Sequence, residues 1–306
     1  MSLIKKKILI TGASGMLGKR IIELFSIDQK YEVYGVSRKN KNNDSPDIIM
    51  VNIDLMDMEA VEDGLNQIKP EMIIHCAANV NLEDCQKNQN AAYKLHVEST
   101  QKLAAYNPGS TKFIYISTDS VFDGRKGNYT EEDKVNPLNY YAESKYLGEK
   151  TAISSNSNTL VIRTNIYGFG SSEGHSLVEW AIEQLSSNQS IKGFEDVLFN
   201  PVYVGQLAAI IKKLLEEGNI TGVLNIGSDQ FISKYQFLKK VAKTFDFSDE
   251  LISSASSDSM SMLIDRPKNT TLNVSKLFTL TGEVLAFEKG LLEMKQNMMD
   301  HLYSIR

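Results

Sequence analysis

A tyrosine and a lysine in the segment NYYAESKYLGEK, residues 139–150, have a spacing that suits acid–base chemistry. Tyr141 and Lys145 are four residues apart, so a helix places both side chains on one face. A free phenol has a pKa of about 10 and is a poor proton donor or acceptor at neutral pH. A neighbouring ammonium stabilises the phenolate and lowers the pKa of the phenol. The pair therefore predicts a tyrosine that exchanges a proton with a substrate oxygen.

A glycine-rich turn near the N-terminus predicts a binding site for a dinucleotide. In ITGASGMLGKRII, Gly12, Gly15 and Gly18 follow a predicted strand and begin a predicted helix. Glycine permits a tight turn and lets the backbone approach a pyrophosphate closely. The N-terminus of the helix offers N–H groups and a partial positive charge to the phosphates.

The end of the second predicted strand indicates which dinucleotide is bound. Many dinucleotide-binding folds carry an acidic residue there, which binds the ribose 2′-hydroxyl. This chain has Ser37 and Arg38 instead. A guanidinium pairs with a 2′-phosphate, so the sequence favours NADP(H), with NAD(H) as the alternative. Asp54, at the end of the third strand, is placed to contact the adenine.

The elements that must position these residues alternate between strands and helices. Six strands are predicted at KKKILIT, YEVYGVS, DIIMVNI, EMIIHCA, KFIYIST and NTLVIRT, with helical segments between them. Near-continuous apolar strands of this kind are buried on both faces of a parallel sheet. The fold class is therefore α/β, a Rossmann-type doubly wound parallel sheet with a smaller C-terminal α/β cap. We predict a nucleotide-binding domain over 1–168, with part of 199–226 returning to it, and a substrate-binding cap over 169–198 and 227–306. Locally, we predict a helix over 88–106, a strand at DVLFNPVYV and a polar Ser/Asp-rich loop over 252–261.

Composition narrows the class of protein further. The chain has 306 residues, a net charge of −5, two cysteines and four scattered histidines. The negative charge argues against nucleic acid as a partner, and no apolar run is long enough to span a bilayer. The N-terminus has no small-residue cleavage site, so we expect no signal peptide. We expect a cytoplasmic protein with reduced thiols and no metal site.

Five segments together carry a resemblance to a known family. TGASGMLG, HCAANV, YISTDSVFDG, PLNYYAESKYLGE and VIRTNIYG are similar to the extended short-chain dehydrogenases/reductases, and within them to the dTDP-4-dehydrorhamnose reductase group. The resemblance is strong over the first 168 residues and weaker in FNPVYVGQLA and DRPKNTTLNVSKL. It implies NADPH-dependent reduction of the 4-keto group of a nucleotide-linked deoxysugar, and a homodimer.

The resemblance also implies roles for individual residues. The implied catalytic residues are Thr118, Tyr141 and Lys145. The implied cofactor contacts are Gly12, Ser14, Gly15, Met16, Leu17, Gly18, Asp54, Leu55, Ala77 and Ala78, with Tyr141 and Lys145. The implied substrate contacts are Asn79, Asp119, Val121, Asn165 and Arg266.

Three positions depart from the pattern of the group, and two alternatives stay open. Ser120 stands where the group usually has tyrosine and Ile166 where it has tryptophan, which indicates a product other than dTDP-rhamnose. His96 stands where an asparagine is frequent. One alternative is a sugar-nucleotide epimerase or dehydratase that retains bound NAD. The other is a non-catalytic NADP-binding subunit, like the beta regulatory subunit of methionine adenosyltransferase, which belongs to the same group.

Overall fold

The computed structural model describes residues 4–38, 47–170, 176–218, 220–259 and 263–304. Its strands, in chain order, are β1 (Lys6–Thr11), β2 (Tyr31–Ser37), β3 (Ile48–Asn52), β4 (Met72–His75), β5 (Lys112–Ile116), β6 (Thr159–Thr164), β7 (Ile166–Tyr167), β8 (Ile191–Phe194), β9 (Leu198–Phe199), β10 (Val202–Tyr203), β11 (Gly222–Ile226), β12 (Ile232–Ser233) and β13 (Ile252–Ala255). Its α-helices are α1 (Met16–Ser26), α2 (Met58–Ile68), α3 (Leu82–Lys87), α4 (Gln89–Tyr93), α5 (Ser99–Ala104), α6 (Tyr140–Ser155), α7 (Leu177–Ser186), α8 (Val204–Glu216), α9 (Lys234–Thr244), α10 (Ser275–Thr281) and α11 (Phe287–Ser304).

Seven strands form the central sheet, in the order β11-β6-β5-β4-β1-β2-β3. The pairings from β3 through β1 and β4 to β6 are all parallel. The order reverses between β1 and β4, which makes this edge the topological switch point where α/β sheets bind ligands. The predicted α/β class and parallel sheet are confirmed.

The core of the sheet explains why its strands are apolar. All four residues of β4 are buried, and Ile8, Ile10 and Ile74 have no exposed surface. Because helices cover both faces of the sheet, neither face of these strands is in contact with water. Their sequences are therefore continuous apolar runs. The predicted strands match β1 to β6 to within two residues at each end.

The chain divides into two compact units. The first contains residues 1–121, 137–163 and 208–224, and the second contains residues 122–136, 164–207 and 225–306. The predicted domains differ from this division because 122–136 and 164–168, which we placed in the nucleotide-binding domain, belong to the second unit.

Three local predictions of secondary structure were wrong. DVLFNPVYV was predicted as one strand, but Pro201, which lacks an N–H, separates β9 from β10, and these pair with different partners. Residues 252–261 were predicted as a polar loop, yet 252–255 form β13, which pairs in parallel with β8. The helix predicted over 88–106 is interrupted by a π-helical turn at Lys94–Glu98.

No helix in the described ranges is both long and apolar enough to cross a membrane.

Candidate active site

A cleft of about 190 Å³ opens in the first unit beside the switch point of the sheet. It is formed by the turn after β1, the end of β2, the segment after β3 and the segment after β4. Its lining residues are Gly12, Ser14, Gly15, Val36, Ser37, Arg38, Ile53, Asp54, Leu55, Met56, Cys76, Ala77, Ala78 and Leu95. The carboxyl ends of four adjacent strands thus contribute to one cleft, as expected for a dinucleotide site.

The glycine turn lies in this cleft, and its geometry excludes larger residues. Gly12 has φ +66°, and a Cβ there would lie 2.8 Å from the backbone nitrogen of Ala77. A Cβ on Gly18 would lie 2.2 Å from the carbonyl oxygen of Gly12. Helix α1 begins after Gly15, with neither a capping side chain nor an acidic residue in its first turn. This cradle therefore fits the pyrophosphate of a dinucleotide.

Besides Tyr141 and Lys145, twelve residues are predicted to contact the cofactor. Nine of these twelve line the cleft. The other three, Met16, Leu17 and Gly18, begin α1 and do not line it. The sequence reasoning missed Val36, Ile53, Met56, Cys76 and Leu95. Val36, Ile53 and Cys76 are within one residue of a strand end, so the predicted strand boundaries could have identified them. Leu95, in the π-helical turn, had no signal of this kind.

The end of β2 places the residues that we predicted for the 2′-phosphate. Ser37 is buried and Arg38 is exposed at the rim of the cleft. The side-chain amide of Asn52 is oriented so that its oxygen and its nitrogen both have suitable partners. In this orientation its nitrogen donates to the carbonyl oxygens of Ser37 and Arg38 at 3.2 and 2.9 Å. The neighbouring strand thus fixes the backbone from which the guanidinium extends. Lys39, the next basic residue, lies outside the described residues.

The side chain of Thr118 adjoins the Tyr141 phenol and acts to lower the pKa of that phenol. Helix α6, which carries Tyr141, begins after Asn139, whose side chain caps the N–H of Ala142 at 3.0 Å. Thr118 follows β5, so a strand end and a helix start bring the two hydroxyls together. The Thr118 hydroxyl also lies 3.2 Å from an Asp119 carboxylate oxygen.

Lys145 lies on the buried side of α6, one turn after Tyr141. Its ammonium donates to the carbonyl oxygen of Ile116 at 2.7 Å and lies 4.0 Å from the centre of the Tyr115 ring. Burial lowers the pKa of Lys145 to about 7, while the charge of Glu149 acts in the opposite direction. Lys145 also acts electrostatically on the thiol of Cys76, which lines the cleft.

The pKa of Tyr141 does not follow our expectation. We predicted that Lys145 and a cationic nicotinamide ring together lower it; burial acts in the opposite direction and raises the pKa of Tyr141 to about 12. The neighbouring Thr118 opposes this shift, and the Asp119 carboxylate adds to it. Burial is the larger effect because a phenolate loses its hydration in the protein interior. A cationic ring bound nearby would act in the direction we predicted.

The residues predicted to contact substrate are divided between the two units. In the first unit, Asn79 hydrogen-bonds to Asp84, while Asp119 and Val121 are buried in the 3₁₀ turn after β5. In the second unit, Asn165 accepts a hydrogen bond from the Val202 backbone at 2.8 Å, and Arg266 is exposed. Their roles stay predictions.

Within the described part of the chain, no group of three or more His, Cys, Asp or Glu side chains could hold a metal ion.

Comparisons of the sequence and of the structure with known proteins agree on one family. The model of a family described as RmlD substrate binding domain matches residues 6–299. The mouse methionine adenosyltransferase 2 subunit beta is 31% identical, over 94% of this chain and 86% of its own length. The dTDP-4-dehydrorhamnose reductase of Aggregatibacter actinomycetemcomitans is 27% identical, over 89% of this chain and 92% of its own length. The crystal structure of dTDP-4-dehydrorhamnose reductase from Bacillus anthracis in complex with NADP has a TM-score of 0.82 and 25% identity, covering 96% of this chain and 100% of the other.

Proposed function

The chain belongs to the RmlD substrate binding domain family, and we propose that it is an NADPH-dependent reductase of the 4-keto group of a nucleotide-linked deoxysugar. The observation that carries this proposal is that the end of β5 and the start of α6 bring Thr118 next to the Tyr141 phenol, one helical turn from Lys145. A second hydroxyl beside a phenol can orient a carbonyl oxygen for protonation.

Each residue has a defined task in this reaction. NADPH, when bound, supplies the hydride. Tyr141 donates a proton to the ketone oxygen and Thr118 holds that oxygen in place. The ammonium of Lys145 stabilises the phenolate that Tyr141 leaves behind. The high pKa of Tyr141 fits this direction, since the phenol is protonated before the reaction begins.

The cleft supports NADPH as the cofactor. Its glycine turn and the start of α1 fit a pyrophosphate, and Arg38 at the rim carries a positive charge suited to a 2′-phosphate. NAD(H) is the alternative cofactor. We further propose a cytoplasmic homodimer that binds neither nucleic acid nor membranes; gel filtration with light scattering tests the dimer.

The direct test measures loss of NADPH absorbance with a panel of dTDP- and UDP-4-keto-6-deoxysugars. We expect turnover with at least one sugar, and a decrease in kcat of about 10²- to 10⁴-fold in Tyr141→Phe. The variant should still bind NADPH. Absence of turnover across the panel would contradict the proposal, and NAD released on denaturing the purified protein would instead support an epimerase or dehydratase.

A second function is favoured by the identity to the mouse methionine adenosyltransferase subunit. The chain would then be a non-catalytic NADP-binding regulatory subunit of another enzyme. The presence of Thr118, Tyr141 and Lys145 together favours the reductase. Co-purification with a different enzyme, combined with no reductase activity, would favour the subunit.

A further inference from the structure

His96 is fully buried in the π-helical turn, and both nitrogens of its ring have a partner. The backbone N–H of Asn79 donates to Nε2 at 2.9 Å, so Nε2 carries no proton. Nδ1 lies 2.8 Å from the hydroxyl oxygen of Ser144, and this hydroxyl donates to the carbonyl oxygen of Tyr141 at 2.9 Å. Because the proton of Ser144 is already used, Nδ1 must be the donor. The contacts therefore define His96 as the neutral Nδ1–H tautomer.

The carbonyl oxygen of His96 is held by a second chain of hydrogen bonds. It accepts from the Thr100 hydroxyl at 2.7 Å, whose oxygen lies 3.1 Å from Nε2 of His75. Since the Thr100 proton is used, Nε2 of His75 is the donor. Nδ1 of His75 then accepts from the Thr11 hydroxyl at 2.6 Å, and Thr11 accepts from the backbone N–H of Ala77 at 3.3 Å. His75 is thus the opposite, Nε2–H, tautomer.

The surroundings of both rings keep them neutral. Burial and the nearby charge of Lys145 lower the pKa of His96 to about 3. The same two effects lower the pKa of His75 well below its ordinary value. A protonated His96 would also direct an Nε2–H group at the backbone N–H of Asn79, where two donors would face each other.

These contacts join two parts of the candidate site. Asn79 follows Ala77 and Ala78, which line the cleft. Ser144 precedes Lys145 on α6, and the edge of the His96 ring packs against Tyr141 with ring centres 6.0 Å apart. Nε2 of His96 accepts from the backbone N–H of Asn79, and Nδ1 donates to the hydroxyl of Ser144, which itself donates to a backbone carbonyl oxygen. Their partners are therefore structural, and neither nitrogen is directed at the cleft.

We propose that His96 is a positioning residue, whose Nδ1–H tautomer fixes the helix bearing Tyr141 and Lys145 against the segment Ala77–Asn79 of the cofactor cleft. The kinetic consequence rests on the proposed reductase function. The tautomers and the effect on NADPH binding do not.

Two substitutions of His96 separate its two contacts. The amide nitrogen of asparagine occupies the place of Nδ1 and can still donate to Ser144, but it does not reach Asn79. The longer glutamine places its amide oxygen near the place of Nε2, where it accepts from the N–H of Asn79. We expect His96→Asn to weaken NADPH binding roughly tenfold with little change in kcat. We expect His96→Gln to retain NADPH affinity and to lose roughly tenfold in kcat.

Ser144→Ala provides the matched variant on the other side of the contact. It removes the acceptor for Nδ1–H and should reproduce the effect of His96→Gln on kcat. Equal losses of NADPH affinity and kcat in both His96 variants, or unchanged kcat in Ser144→Ala, would overturn the proposal.

The tautomers are measured without any turnover. In long-range ¹H–¹⁵N spectra of the protein labelled with ¹⁵N-histidine, one buried ring should carry its proton on Nδ1 and the other on Nε2. Assignment follows from the loss of one signal in His96→Gln. Two rings of the same tautomer, or a protonated His96 at neutral pH, would contradict the proposal whether or not the protein reduces a sugar.

Discussion

Glu149 and Arg163 form an ion pair that is almost completely enclosed. The Nη2 and Nε atoms of Arg163 lie 2.7 and 3.2 Å from one carboxylate oxygen of Glu149, and the two side chains are 2% and 4% exposed. The Ser117 hydroxyl donates to the other oxygen at 2.6 Å. Glu149 is one helical turn after Lys145, so a strand of the sheet is tied to the helix of the candidate site.

Removing one partner of this ion pair should destabilise the folded protein. In Glu149→Gln the guanidinium of Arg163 stays buried without a counter-charge, and we expect the free energy of unfolding to fall by about 3–5 kcal/mol. Urea unfolding measures the change. The double variant Glu149→Gln with Arg163→Met removes the charge on both sides and should lose less than Glu149→Gln alone. A double variant less stable than the single one would contradict this account.

The buried ammonium of Lys145 predicts a pH dependence of stability. Burial lowers the pKa of Lys145 to about 7 from its ordinary 10.5. Between these values the unfolded chain binds one more proton at this position than the folded chain does. The free energy of unfolding therefore increases as the pH rises, and this group contributes at most about 1.4 kcal/mol per pH unit to the increase. The gain is complete above the unfolded pKa and is absent below about pH 7.

Lys145→Met removes this contribution. The difference in free energy of unfolding between the natural protein and Lys145→Met should shift in favour of the natural protein from about pH 7 to about pH 10. Urea unfolding at several pH values within this window measures the slope. Other titrating groups are common to both proteins and cancel in the difference, so parallel curves would contradict a lowered pKa of Lys145.

The sheet was predictable from sequence because its strands are buried on both faces. Ile73 and Ile74 of β4, and Phe113 and Ile114 of β5, have no exposed surface, and such burial requires an apolar run that the sequence displays directly. The glycine turn was predictable for a related reason, since the close approach of Gly12 to Ala77 admits no side chain.

The polar contacts of the site were not predictable in the same way. The partners of His96, which are Asn79 and Ser144, lie 17 and 48 residues away in the sequence. No periodicity records such contacts, because they depend on how the loop after β4 meets α6. The burial that raises the pKa of Tyr141 could not be predicted from the sequence either, since burial depends on packing from several elements.

Gly12 should tolerate alanine much less well than a glycine of the same backbone conformation elsewhere. Gly282 has φ +68°, close to the +66° of Gly12, but a Cβ there meets nothing within 4 Å. Gly282→Ala should therefore cost only the strain of the left-handed conformation, roughly 1–2 kcal/mol. Gly12→Ala adds the overlap with Ala77, for roughly 1–3 kcal/mol more, and should weaken NADPH binding. Thermal unfolding and fluorescence titration with NADPH measure both effects, and equal costs at the two positions would contradict the close approach.

Arg38 should decide between NADPH and NADH. Its guanidinium is exposed at the rim of the cleft, where a 2′-phosphate can pair with it. A charge-assisted hydrogen bond contributes about 1.5–3 kcal/mol, so Arg38→Ala should weaken NADPH binding roughly 10- to 100-fold and leave NADH binding unchanged. Arg20→Ala is the matched control, because it removes a positive charge from the same unit on α1, where Arg20 pairs with Glu23 at 3.1 Å outside the cleft. Titration of the protein fluorescence with each nucleotide gives six dissociation constants, two for the natural protein and two for each variant. An equal decrease in affinity for NADPH and NADH in Arg38→Ala would show that this residue supports the structure of the cleft without binding the 2′-phosphate.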